Sequence, residues 1–266
     1  MKINTALAPL LLAASMGVSA HGDIDEHCDI QLNGNLKFEN NVLTVLLKDG
    51  REAQFIARGT VSIDGNTLPL SREQTHQAQT YYANIQDSIP TTIEIAKEAV
   101  SIANTAVVEV FGELLGHDDG LTQEFGHFFD DINYDINNQF YAADGTIFVD
   151  TTGFEEGEWV DQGWEQQFEQ KIESLIAKSM GKILIAVGSE MLWGDGDADE
   201  FGKRMENFGE ELEQRLAGST ARISEQANAL CKTLEYADIA ENKLADKVEQ
   251  LQHLDLLTID IQGQRM

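Results

Sequence analysis

The spacing of apolar residues changes period at Ser71, and no other feature of this 266-residue chain restricts its fold as much. Before that point, short runs rich in Ile, Val, Leu and Phe are separated by dense turn signals. Asn33-Gly34-Asn35, Asn40-Asn41, Asp49-Gly50 and Asp64-Gly65-Asn66 bracket Leu36 to Glu39, Val42 to Leu47, Gln54 to Ala57 and Thr60 to Ile63, as in an antiparallel meander. A two-stranded hairpin is barely stable alone in water, so this part must lie against helices.

From Ser71, a candidate N-cap with Glu73 and Gln74 in the first turn, the period becomes helical. Pro90 divides two predicted helices, because proline lacks the N–H that a helix interior needs. The second carries Ile93, Ala96, Val100, Ala103, Val107, Val110 and Leu114 on one seam, a packing face rather than a ligand channel. Gly116 and Asp118-Asp119-Gly120 end it. A further helix spans Leu121 to Phe140, and Thr146 to Asp150 reads as a short strand added to the N-terminal sheet. Thr152 to Gly163 reads as a loop. Two long helices, Trp164 to Trp193 and Glu200 to Tyr236, are predicted to form an antiparallel hairpin, with Phe168, Ile172, Leu175 and Met180 facing Phe201, Met205, Phe208 and Leu212. Asp238 to Leu251 reads as another helix and Leu256 to Ile261 as a closing strand. The expected fold class is α+β, predominantly α, a small N-terminal antiparallel sheet packed on a bundle of long amphipathic helices. No repeat of fixed period interrupts it, so residues 21–266 are read as one mature domain: 28–70 β-rich, 71–255 helical and 256–262 a closing strand.

Residues 1–20 have the three parts of a secretory leader: Lys2, the mostly apolar run Ile3 to Ala14, and the small-residue site Val18-Ser19-Ala20. Cleavage is expected after Ala20. The run is broken by Pro9 and falls short of the ~20 apolar residues of a spanning helix, so no stable membrane anchor is expected. The formal charge of -28 excludes nucleic acid, which is bound by displacing counterions with cations, and docking on anionic lipid, which needs Lys and Arg clusters. Charged partners should be cationic.

The two cysteines, Cys28 and Cys231, stand near opposite ends of the exported chain. In an oxidising compartment they suggest one bridge from the first element to a late helix, worth up to about 5 kcal/mol by loop closure. Two unrelated buried thiols are the alternative, since pairing requires proximity.

Cys28, the Gly34-Asn35-Leu36 turn, Gln77-Ala78 through Tyr81 to Ser88-Ile89-Pro90, Ala96-Lys97 and the late Cys231 together resemble the YggN-like family, exported gammaproteobacterial proteins with no assigned function. The resemblance covers the N-terminal strands, the first two helices and the last cysteine, and is poor from Leu121 to Asp199. It implies a periplasmic location and a mainly helical body. It brings no catalytic residues.

Among chemical candidates, Asp195, Asp197 and Asp199 alternate on a loop, and Glu206 falls twelfth from Asp195. Alternate carboxylates followed by a late Glu suit calcium. Against this, the sixth place is Glu200 rather than the glycine of the sharp turn, and the eighth is Gly202 rather than an aliphatic residue. The competing reading is an acidic helix start, with Asp197 or Asp199 capping exposed amides. His117, Asp118, Asp119, His127, Asp130 and Asp131 offer nitrogen and oxygen ligands for zinc at unpersuasive spacing. No nucleophile elbow, zinc helix, phosphate loop or dinucleotide glycine pattern occurs.

These features favour a non-catalytic exported protein without a resident cofactor, binding another envelope protein or a small ligand. The alternatives are a calcium-binding protein and a hydrolase working through paired carboxylates, one with a displaced pKa. Inward-facing carboxylates in a pocket would favour the hydrolase, and an exposed apolar groove the binder.

Overall fold

A computed structural model describes residues 27–141, 146–151, 162–193 and 198–262. The predicted leader (1–20), most of the predicted loop (152–161), and Asp195 and Asp197 lie outside the described residues. The fold is α+β and mostly α, and the chain divides into two compact units.

The first unit comprises residues up to Ala96, Asn138–Val160 and Ser224 onward. Its sheet uses β2 (Leu36–Glu39), β3 (Val42–Leu46), β4 (Glu52–Ile56), β5 (Val61–Ile63), β6 (Asn66–Thr67) and β7 (Val149–Asp150) in the order β6-β5-β4-β3-β2-β7, antiparallel throughout. Local chemistry sets the register. Asn40 and Asn41 between β2 and β3, and Asp64 and Gly65 between β5 and β6, all have positive φ, as the type I′ two-residue hairpin requires. Alternation then sends Phe38, Leu43, Val45, Ala53, Phe55 and Val61 to one buried face.

The first helix, α1 (Arg72–Leu115), contributes Ala78, Tyr81, Tyr82, Ile85 and Ile89 to this core. Tyr82 lies 6.0 Å from Phe38 and Tyr81 5.0 Å from Phe55, ring centre to ring centre. The helix starts as expected: Gln74 N–H donates to Ser71 Oγ at 3.3 Å, and Ser71 N–H donates to Gln74 Oε1 at 2.8 Å, a reciprocal capping box. It does not end at Pro90. The predicted division there is corrected: α1 continues through Pro90. An interior proline costs about 3 kcal/mol, but Ile85 and Ile89 before it and Ile93 after it are buried on one face, and interrupting that face would expose all three at about 1.5–3 kcal/mol each.

The last helix, α4 (Ala198–Lys247), is also longer than expected. The predicted break between Tyr236 and Asp238 is absent because Leu234, Ala237, Ala240, Glu241 and Leu244 carry one buried seam across it. After α4 a 3-10 turn at Glu249–Leu251 leads to β8 (Leu257–Gln262). β8 pairs antiparallel with β1 (His27–Leu32) as a separate two-stranded ribbon. Cys28 of β1 is bonded to Cys231 of α4, Cα to Cα 6.3 Å.

The second unit comprises Lys97–Asn137 and Asp161–Ile223. Leu121 and Phe128 of α2 (Gly120–Phe140) and Leu175 of α3 (Gln162–Trp193) form its buried centre, packed by Phe111 and Leu115 of α1 and by Phe168 and Ile172 of α3. Phe111 and Phe125 stack at 4.6 Å. Three lysines of α3 pair in reverse order along α2: Lys171 with Asp131, Lys178 with Glu124 at 2.5 Å, and Lys182 with Asp119 at 2.6 Å. The two helices therefore run antiparallel. Arg215 and Arg222 of α4 reach Glu109 at 3.1 Å and Glu98 at 2.7 Å on α1, again in reverse order. Phe168, Ile172 and Leu175, predicted to face α4, pack on α2 and the end of α1. Met180, assigned to the same interface, is exposed.

Candidate functional site

Among the described residues, the least expected side chain in a core is Glu241. It occupies a seam position of α4 where helical spacing asks for an apolar residue, between Ala237 and Leu244, and it is 1% exposed. Its Oε1 accepts the N–H groups of Leu256 at 2.6 Å and Leu257 at 3.1 Å, where the chain enters β8. Its Oε2 has no direct hydrogen-bond partner. From α1 the hydroxyl of Tyr81, likewise buried and without a partner, faces the carboxyl closely enough to interact with it, but outside direct hydrogen-bond geometry. Burial dominates the electrostatics and pushes the Glu241 carboxyl up to about 7, against the opposing pull of the Leu257 N–H, Tyr81 and the Leu256 N–H. Asp238, one turn earlier on α4, is also raised, chiefly by burial. The Tyr81 hydroxyl is raised well above its ordinary value, by burial first and Glu241 second.

What this arrangement can do is limited by access. A carboxyl this deeply buried has no surface with which to touch a substrate, whereas it can hold or release a proton and grip two backbone amides. The sequence signal was present: Leu234, Ala237, Leu244 and Val248 follow the spacing of one helical face, and an acid inside such a series must be either solvated by a bend or buried with partners.

The second unit carries a different feature. On α3, Ile176, Met180 and Leu184 follow one another at four-residue steps, with Ile185 farther around; all are more than half exposed, Leu184 by 73%. Residues 174–189 contain no Asp or Glu, in a chain with 46 of them. Their only charges are Lys178 and Lys182, which already meet Glu124 and Asp119. One side of α3 is thus consumed by α2, while a second apolar strip is left bare.

The residues singled out as metal ligands are placed as follows. Asp199 and Glu206 both fall within helix α4, about 10 Å apart along its axis; the Asp199 side chain, like Asp195 and Asp197, is outside the described residues. Asp119 accepts the Leu121 N–H at 2.8 Å, capping α2, and its carboxyl is lowered from its ordinary value first by the hydrogen bond from Lys182. Asp131 meets Lys171, and the His117 ring lies over Gly112. Among the described residues no three His, Cys, Asp or Glu side chains converge as a metal site would need. A depression of about 580 Å³ on the outer sheet face is lined by Lys37, Thr44, Leu46, Glu52 and Gln54; Lys37 is paired with Glu39 at 3.1 Å. Among the described residues no helix is long and apolar enough to cross a membrane.

Residues 28–257 match a protein family described as "Protein of unknown function (DUF2884)". No curated protein and no solved structure matches the chain.

Proposed function

The chain belongs to the DUF2884 family, and from that premise we propose that it is an exported, non-catalytic binding protein of the bacterial periplasm that holds a partner envelope protein against α3. The observation that carries this reading is the bare strip of Ile176, Met180, Leu184 and Ile185. Each such side chain left in water forgoes about 1.5–3 kcal/mol of burial, and contiguous exposed apolar surface marks contact sites. With a formal charge of -28, the complementary surface is an apolar ridge bordered by Lys or Arg, and anionic membrane is repelled. The Cys28–Cys231 bond supports an oxidising compartment, as does the leader-like order of residues 1–20. The resemblance to YggN-like proteins agrees with this location.

The test is affinity capture from periplasm with the mature protein and with Met180→Glu and Leu184→Glu variants. A companion retained by the parent and lost by both variants, with a cationic apolar segment at the crosslinked contact, supports the reading. Equal retention by all three, or retention on anionic lipid vesicles in place of a protein, refutes it.

A further inference from the structure

The bare strip on α3 has a shape as well as a polarity. On a helix, residues four apart lie in one inclined row, and neighbouring rows form ridges and grooves. Ile176, Met180 and Leu184 make a ridge of large, exposed apolar side chains. The adjacent row runs Glu169, Glu173, Ala177, Gly181, Ile185, all exposed. A Cβ added at Gly181 would meet nothing within 4 Å, so this row sinks at Ala177 and Gly181. It forms a trough, closed at one end by Ile185 and opening at the other onto two carboxylates. The far side is bounded by Lys178 and Lys182, whose charges are taken up by Glu124 and Asp119 of α2. Among the described residues neither Glu169 nor Glu173 is paired with a cation.

Resting on the reading of α3 as the contact face, we propose that this trough seats an amphipathic helix of the partner, with its apolar residues over Ala177 and Gly181 and its Lys or Arg end over Glu169 and Glu173. The small floor lets the two axes approach to the low end of the 8–10 Å range of packed helices. A helix is the form that fits, because it satisfies its own N–H and C=O groups. An extended segment would lay unpaired backbone groups against Ile176, Met180 and Leu184, where α3 offers no strand edge to pair with them. Charge selects the occupant and its direction. A second copy would bring the same two glutamates and a formal charge of -28 to the face, whereas a helix with a cationic end meets the carboxylates there and apolar surface beyond. From Glu169 to Ile185 the row spans about 24 Å, the length of a helix of about 16 residues.

The test uses the whole oxidised protein and a fluorescently labelled synthetic peptide of about 16 residues, with leucines at four-residue steps along one half of a face and arginines along the other half. Anisotropy titration should show saturable binding to the parent. Gly181→Leu, which fills the trough, and the pair Glu169→Lys with Glu173→Lys, which reverses its charged end, should each weaken binding about tenfold or more. Leucine also raises helix propensity over glycine in open space, so the thermal midpoint of Gly181→Leu should not fall, which separates a blocked trough from a damaged fold. Parent-like binding by either variant overturns the proposal. So does equal binding of a peptide interrupted by proline, the outcome for an extended occupant, or of one with glutamates in place of arginines. Sedimentation of the parent as a dimer that Gly181→Leu disrupts would assign the trough to a second copy and overturn it too. A parent that ignores the peptide while periplasmic capture still depends on Met180 and Leu184 overturns the helix and its direction alone; capture that does not depend on them overturns the contact face itself.

Discussion

Glu241 makes the stability of the first unit fall as pH rises, and the size of the effect follows from its surroundings. Its ordinary value is 4.5 and burial lifts it to about 7 in the folded chain. Between these values the folded chain holds a proton that the unfolded chain has lost. This contribution is therefore complete below about pH 4.5 and disappears as pH climbs through 7. At about 1.4 kcal/mol per pH unit the window is worth about 3 kcal/mol, of which about 2.5 kcal/mol is lost between pH 5 and pH 8. Urea unfolding at the two pH values, in the parent and in Glu241→Gln, measures it. Subtracting one slope from the other removes every other titrating group, including Asp49, Glu73, Glu98, Asp119 and Asp255, whose lowered values place their own losses of stability at acid pH, below this window. The difference of differences should be about 2.5 kcal/mol, with the parent losing more at pH 8. Equal slopes for parent and variant would mean that the carboxyl is hydrated in the folded chain, and the burial argument would fail.

Two further outcomes follow from packing and covalent structure. Replacing Cys28 and Cys231 by serine should lower stability by about 2–5 kcal/mol, because the bond closes a loop with a sequence separation of 203 residues; denaturation with and without reductant should show the same loss in the parent and none in the double variant. On α3, Leu175→Ala should cost about 2–5 kcal/mol while Leu184→Ala changes stability by no more than about 0.5 kcal/mol, since the first is buried in the centre of the second unit and the second is exposed. Thermal unfolding of the two variants checks the contrast.

Local signals in the sequence carried the parts of the fold that local chemistry decides. Asn40-Asn41 and Asp64-Gly65 announced their hairpins because few residues adopt positive φ cheaply, and Ser71 with Gln74 announced the start of α1 by a side-chain bond that needs nothing distant. What failed was non-local. Pro90 signals a break wherever the helix face is solvent-exposed, and only the burial of Ile85, Ile89 and Ile93 overrides it. The packing of α3 on α2 was not foreseen for a similar reason: its apolar residues fit any facing seam, and the acids that Lys171, Lys178 and Lys182 meet on α2 lie 40 to 63 residues away. Glu241 was passed over because, among 46 acids, one more on a helix looks like solvated surface; its place in the Leu234–Val248 series was the clue.

The account depends on export, which licenses the thiol bond and the envelope partner. Intact-mass measurement of native protein released from cells, before and after thiol alkylation, tests that directly. A chain beginning at His21, two hydrogens lighter than its reduced form and inert to alkylation, is the expected result; a chain retaining residues 1–20 with both cysteines alkylated would contradict it.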